Sequence, residues 1–123
     1  MKTISRVLPG VILLAATYVA PVNAAEDVTV PFSLAKGQSL FNENCSSCHG
    51  KQLDGSAEGP PLLHPYYKPS HHGDQAFYRA TLNGAKQHHW NFGDMKAVPG
   101  MTEDKMKSIL PYIRYYQQQK GLY

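Results

Sequence analysis

Two cysteines and a histidine form the part of this sequence with the clearest chemistry. They stand as Cys45-Ser46-Ser47-Cys48-His49, followed by Gly50, and the chain has no other cysteine. On one helical turn, two thiols at this spacing can bond as thioethers to the two vinyl groups of a haem, and the adjacent imidazole can then ligate the iron. The motif therefore predicts one covalently attached haem c, held by Cys45 and Cys48 and ligated by His49.

Three other uses of a C-x-x-C pair fit less well. A redox dithiol is expected in a thioredoxin-like βαβ context, which this sequence lacks. A structural zinc site would need a second cysteine pair, and the chain has only two cysteines. A structural disulfide suits an oxidising compartment, but it would leave His49 without a role.

The N-terminal residues have the composition of a secretory signal peptide. Lys2 and Arg6 precede a mostly apolar run over 7–20, and small residues end at Ala24, after which cleavage is expected. An uncleaved membrane anchor is disfavoured, because the run is shorter than the about 20 residues of a bilayer span and contains Pro9-Gly10. We therefore expect a signal peptide over 1–24, a flexible N-terminal lead over 25–32 and one domain over 33–123, exported to the periplasm without a membrane span in its mature form.

The charge balance gives no indication of a nucleic-acid partner. The formal net charge of the chain is +3, and loss of Lys2 and Arg6 with the signal peptide leaves +1. Two haem propionates would make the mature protein slightly negative. Such a surface has no excess of positive charge with which to attract a phosphate backbone.

Two segments before residue 84 have helical patterns. The first runs from Leu34 to about Asn44, with Ser33 as its predicted N-cap. The second runs over 74–83, where Asp74 is the predicted cap and Gly84 the predicted end. Glycine and proline are frequent between the two helices, so we expect a long loop over 50–69.

A third helix is predicted after a second long loop over 85–101. Thr102 is its expected N-cap, and apolar residues from Met106 to Tyr116 follow a helical rhythm. Pro111 lies inside this segment and should bend or locally break the helix. No segment alternates like a strand. The sequence thus predicts an all-α fold, with three main helices and long loops wrapped around one covalent haem.

These features resemble a class I cytochrome c over about Leu34 to Tyr116. The stretch from Gly37 to Gly50 is similar to the family's first helix and haem motif, and Gly59-Pro60-Pro61-Leu62 is similar to its G-P-x-L loop. The resemblance implies the cytochrome c fold, in which Gly37 and Phe41 cross the last helix near Tyr112 or Tyr115. It also implies that the carbonyl of Pro60, or else that of Pro61, accepts the Nδ1 proton of the haem histidine.

The same resemblance implies a methionine as the second axial ligand. The stretch from Met95 to Thr102 aligns with the family's M-P-A-F-G-G-L-T pattern, with Met95 at the ligand and Met101 at a core leucine. Lys96 departs from the pattern, which has proline there. Met101, a histidine or an open position are the alternatives. Trp90 stands where small bacterial members have an indole that donates to a haem propionate.

Five further histidines have no role in this scheme: His64, His71, His72, His88 and His89. They are compatible with a solvated loop surface or with hydrogen bonds to the haem propionates. A third interpretation is a second metal site for copper or zinc, formed if the loop of His71 and His72 folds against that of His88 and His89. His64 could then add a further ligand.

The most economical function is that of a soluble periplasmic single-electron carrier rather than an enzyme. His49 and Met95 would close both axial positions of the iron, so that outer-sphere electron transfer is the chemistry left. Expected partners of this monomer are a quinol-oxidising complex, a periplasmic dehydrogenase or a terminal oxidase. The alternatives are a haem subunit or catalytic haem of a periplasmic oxidoreductase, or a cytochrome with the additional histidine-based metal site.

Overall fold

The computed structural model describes residues 27–123. This part of the chain contains four α-helices, α1 (Ala35–Asn44), α2 (Ser46–His49), α3 (Asp74–Asn83) and α4 (Glu103–Gln119). Two 3-10 turns, Phe32–Leu34 and Pro65–Tyr67, lie in the connecting segments. Within the described residues the only β pairing is an isolated bridge between Ala85 and Met95, which confirms the predicted all-α fold.

The predicted signal peptide lies outside the described residues. Of the predicted N-terminal lead, Val28 and Val30 pack against the hydrophobic core. None of the helices in residues 27–123 combines the length and the apolar character needed to cross a bilayer.

The packing of α1 against α4 forms the centre of the fold. Gly37 is buried at their crossing, where a Cβ atom would lie 2.1 Å from the backbone oxygen of Ser108. One turn later, the Phe41 ring lies 5.5 Å from the ring of Tyr112, measured between centroids. Tyr112 is therefore the residue that meets α1, whereas the Tyr115 hydroxyl donates to the carbonyl of Thr29.

Two predicted helix caps are wrong. Ser33 lies inside the 3-10 turn that precedes α1, so the N-cap of α1 is Leu34, which has no side-chain cap hydrogen bond. Gly73, not Asp74, is the N-cap of α3. Asp74 occupies the first helical position, where its carboxylate accepts a hydrogen bond from Arg114 Nε at 2.9 Å instead of capping the backbone.

The predicted cap of α4 is correct, but the helix is not broken at Pro111. The Thr102 hydroxyl accepts a hydrogen bond from the Lys105 amide at 3.2 Å. The helix continues through Pro111 to Gln119, and Pro111 lies on its exposed side. The carbonyl that loses its hydrogen-bond partner there is that of Lys107. Because Lys107 is also an exposed residue, water can donate to this carbonyl.

The two long loops are fixed to the helices by specific contacts. In the first loop, the fully buried Gln117 side chain of α4 donates to the carbonyl of Leu62 at 2.8 Å. In the second, the Val98 amide donates to the carbonyl of Thr81 in α3. Leu53 is completely buried and joins the core from the loop. These contacts hold the loops against α1, α3 and α4, and a cavity lies between them.

Candidate haem site

The C-x-x-C-H segment is folded as a helical turn directly after α1. Cys45 ends α1 with φ −127°, and the four-residue helix α2 carries Cys48 and His49. Gly50 then turns the chain away with φ +76°, a conformation that favours glycine. The His49 amide donates to the Cys45 carbonyl at 3.0 Å, so Cys45 and His49 are spaced by one turn. This local fold presents both thiols and the imidazole to one side.

The two cysteine thiols differ in their environment. Both cysteines are free, Cys48 is exposed and Cys45 is half-buried. Burial, with a smaller effect from Cys48, raises the pKa of the Cys45 thiol to about 11. Reactive dithiols and zinc ligands instead depend on a lowered thiol pKa.

The His49 ring is held in one orientation by the first loop. Its Nδ1 atom lies 2.8 Å from the carbonyl oxygen of Pro60. Because a carbonyl can only accept, Nδ1 carries the proton and Nε2 keeps its lone pair. Burial lowers the pKa of His49, although the bond to Pro60 opposes this, so the ring favours the neutral form that a metal requires.

A cavity of about 1070 Å³ lies beside this motif. This volume is slightly larger than the about 300–1,000 Å³ that is typical of cofactor sites. Apolar walls come from every major element of the fold. They include Phe41, Leu62, Phe77, Ile109 and Ile113. The predicted cofactor-binding residues Cys45, Cys48, His49, Pro60, Trp90 and Met95 also line it.

Met95 is fixed in the second loop by backbone pairing. Its amide and carbonyl exchange two 2.9 Å hydrogen bonds with Ala85, just after the Gly84 turn that ends α3. The other described methionines differ in environment. Met101 is buried in the core and is not among the residues of the cavity wall, while Met106 is fully buried in α4 and touches the cavity. Met95 is thus the loop methionine that the structure places at the cavity.

Trp90 supplies an unpartnered donor at the cavity wall. Its Nε1 atom is buried and has no hydrogen-bond partner. The Tyr67 hydroxyl is close enough for the indole to oppose the rise of the Tyr67 pKa that burial causes, but the two atoms do not form a hydrogen bond of good geometry. An orphaned buried N–H is costly unless an acceptor reaches it, and a propionate is such an acceptor.

The residues present therefore fit a haem c. Two free thiols, a neutral imidazole with an available Nε2, a thioether and an unpartnered indole N–H surround one largely apolar cavity. Each supplies a group that covalent attachment, iron ligation or propionate binding requires.

Arg114 organises the wall of the site, and the sequence pattern did not indicate it. Its side chain is 12% exposed, and the guanidinium donates to Asp74, to the carbonyl of Tyr67 and to the carbonyl of His72, at 2.7–2.9 Å. The guanidinium also lies 4.8 Å from the Phe77 ring centroid. From the sequence alone, a single arginine on an amphipathic helix is expected to be exposed to solvent. The contacts of Arg114 with the two loop carbonyls become apparent only in the folded structure.

The structure brings the two histidine pairs together. Nε2 of His71 lies 3.1 Å from Nε2 of His89, and Nε2 of His72 lies 3.3 Å from Nε2 of His88. His64 is outside this group. Its ring packs edge-on against Trp90 at 4.9 Å, and its Nδ1 accepts from the Tyr66 amide.

Comparison with known proteins agrees with this site. Residues 34–117 match the cytochrome c family. The chain is 32% identical to a cytochrome bc1 complex cytochrome c subunit of Corynebacterium diphtheriae over 84 residues, and 29% identical to the cbb3-type cytochrome c oxidase subunit CcoP of Rhodobacter capsulatus over 82 residues. These alignments cover 68% and 63% of this chain but 27% of each relative, so the chain matches about a quarter of their length.

No solved structure matches the chain significantly. The family match nevertheless covers all four helices except the last two residues of α4, together with the haem motif and the cavity loops. The protein is a member of the cytochrome c family, whose function is electron transfer by covalently bound haem c.

Proposed function

We propose that this protein is a periplasmic single-electron carrier in which Cys45 and Cys48 hold the haem, and His49 and Met95 are the axial ligands. The observation that carries the proposal is the shared cavity. The His49 imidazole, which donates its Nδ1 hydrogen bond to the Pro60 carbonyl, and the Met95 thioether line the same largely apolar cavity. With both ligands in place, no coordination position remains for a substrate.

The bound haem supplies an iron that changes its oxidation state by one. The protein contributes the environment of that change. The Pro60 carbonyl fixes His49 and increases its basicity as a ligand. A methionine on the other side favours the reduced state relative to a second histidine. Cys48 is exposed at the surface, so a partner protein could approach the edge of the haem that is bonded to the cysteines.

The axial assignment can be tested with a matched pair of methionine variants. Met95→Leu should abolish the weak sulfur-to-iron charge-transfer band of the ferric protein, lower the reduction potential and open the iron to carbon monoxide. Met101→Leu changes a buried core residue instead, so it should keep the band and the potential. A Met95→Leu protein with an unchanged ferric spectrum contradicts the assignment.

We propose that the partners belong to a respiratory chain, with a quinol-oxidising complex as electron donor and a terminal oxidase as acceptor. The names of the two relatives, a bc1 complex subunit and a cbb3 oxidase subunit, support this choice. Stopped-flow mixing of the reduced protein with oxidase-containing membranes should give fast oxidation that weakens with ionic strength. A periplasmic dehydrogenase is the alternative donor. No exchange with either membrane complex would favour the dehydrogenase.

A dedicated redox subunit is the second candidate, and it is favoured by one observation. Both relatives are named as subunits, and each is much longer than its match to this chain. Fractionation of the native cells separates the two possibilities. A free carrier is released with the periplasmic contents and begins near Ala25, whereas a subunit stays with a membrane complex.

A further inference from the structure

Four histidines from two loops converge at one wall of the haem cavity. His71 and His72 lie in a turn after the second 3-10 turn, Pro65–Tyr67, and both of their amides donate to the carbonyl of Lys68. His88 and His89 lie in the loop after α3. One nitrogen each from His71, His72 and His89 falls within a group whose members are all within 4.8 Å of one another. His88 adjoins this group through its 3.3 Å contact with His72.

The contact between His72 and His88 is not an ordinary hydrogen bond. Nδ1 of His72 donates to the carbonyl of Tyr66, and Nδ1 of His88 donates to the carbonyl of Lys86 at 2.7 Å. Carbonyls only accept, so both Nδ1 atoms carry the proton, and in neutral rings both Nε2 atoms carry a lone pair. Two lone pairs face each other at 3.3 Å. Their approach requires a cation between them, either a shared proton or a metal ion.

Two features favour a metal ion over a shared proton. A proton joins two nitrogens, whereas here at least three converge. The spacing within each pair also matches coordination, because two nitrogens bonded to one tetrahedral ion at about 2.05 Å are about 3.3 Å apart. His71 and His89 are 3.1 Å apart and His72 and His88 are 3.3 Å apart, while the nitrogens of His71, His72 and His89 all lie within 4.8 Å of one another, so an ion would draw the two pairs slightly closer. In addition, metal-binding histidines commonly donate their second ring nitrogen to a carbonyl, as His72 and His88 do.

We propose that His71, His72 and His89, with His88 as an additional donor beside His72, form a second metal site for a transition-metal dication such as Zn²⁺ or Cu²⁺. Imidazole nitrogens suit these ions, and the absence of cysteine or carboxylate from the group disfavours soft monovalent ions and hard ions such as Ca²⁺. Arg114 fixes the turn of His71 and His72 by donating to the His72 carbonyl at 2.7 Å. The site is distinct from the haem iron and gives the protein a metal-binding function beside electron transfer.

Zn²⁺ is the probe for this site, because it neither oxidises nor reduces the haem. Calorimetric titration of the haem-loaded protein with zinc chloride, in a buffer that does not bind metals, should show one ion bound per chain. X-ray absorption at the zinc edge should then show three or four imidazole ligands. Cu²⁺ added afterwards should displace the zinc, following the usual order of affinity.

The double variant His71→Gln/His89→Gln removes two of the three converging nitrogens. It should weaken zinc binding by at least about 100-fold, because the loss of each of the two metal-binding nitrogens should cost no less than the 10–100-fold typical of a residue that only supports a ligand. His64→Gln is the matched control, since this neighbouring histidine lies outside the converging group. It should keep both the stoichiometry and the affinity. Unchanged haem spectra establish that the variants are folded. If the double variant does not fold, the single variant His89→Gln replaces it in the zinc titration.

Two results would overturn the proposal. One is the absence of stoichiometric zinc binding, which leaves a shared proton or the haem propionates as the partners of these rings. The other is binding that is equally strong in the wild type, in the control and in the variants that lack His89, which assigns the zinc to adventitious surface groups.

Discussion

At the scale of single residues, the haem motif depends on a close approach that only glycine permits. A Cβ atom on Gly59 would lie 2.9 Å from the carbonyl oxygen of Cys48 and 3.0 Å from its Cβ. Gly59→Ala should push the loop away from α2 and weaken the bond from His49 to Pro60. We expect a loss of about 2 kcal/mol in the free energy of unfolding. Urea titration measures the loss, and the haem content of the purified protein should fall with it.

Gly73→Ala is the control for this substitution. Its added Cβ meets no atom closer than the Pro69 carbonyl at 3.6 Å, an ordinary contact. We expect a change of less than about 1 kcal/mol, the size of a helix-cap effect. If the two alanine variants are equally stable and equally loaded with haem, the loop is not held against the motif in the way described.

A second prediction at this scale concerns Arg114, whose donors cannot all be replaced by an ammonium group. Arg114→Lys should cost about 1–3 kcal/mol, because the partly buried carbonyls of Tyr67 and His72 lose their partners. Asp74→Asn removes only the partly exposed ion pair, 60% exposed on the Asp74 side, and should cost less than about 1 kcal/mol. Chemical unfolding of both variants measures the difference. Equal losses would show that the ion pair, not the carbonyls, accounts for the stability.

At the scale of elements, the crossing of α1 and α4 determines whether the cavity forms. Gly37→Ala places a Cβ 2.1 Å from the Ser108 backbone oxygen, which no rotamer change can relieve. The helices must separate, and we expect a loss of about 3 kcal/mol or more in the free energy of unfolding, or failure to fold. Thermal unfolding followed by circular dichroism measures the change.

The neighbouring residue provides the control for the helix crossing. Lys36 is exposed on the same helix, so Lys36→Ala should change stability by no more than about 0.5 kcal/mol. A Gly37→Ala protein as stable as Lys36→Ala would contradict the observed packing of α1 on α4.

At the scale of the whole molecule, the sequence predicted the architecture better than the contacts that complete it. Helical periodicity, the Gly84 stop and the Thr102 cap located the starts of three helices and the ends of the first two within one residue. Ser33 and Asp74 had the right residue types for caps, but a preceding 3-10 turn and an ion pair from α4 determined their environments. Arg114 and the convergence of the histidine pairs depend on residues 16 to 47 positions apart, which no local pattern encodes.

The last prediction concerns the stability of the whole molecule in alkali. Tyr112 is 1% exposed, and burial, with smaller effects from Tyr116 and Asp27, raises its pKa from 10.0 to about 12. The unfolded chain therefore loses this proton first, so the stability from the protonated phenol is complete below pH 10 and falls as the pH rises from 10 towards 12. Urea unfolding from pH 8 to 11 should show the fall. Tyr112→Phe, which keeps the ring against Phe41, should make the fall above pH 10 smaller, and the remainder is expected from Tyr116, whose pKa burial also raises. Tyr115→Phe leaves both buried phenols in place and should keep the full decline. An alkaline decline of equal size in both variants would show that another group is responsible.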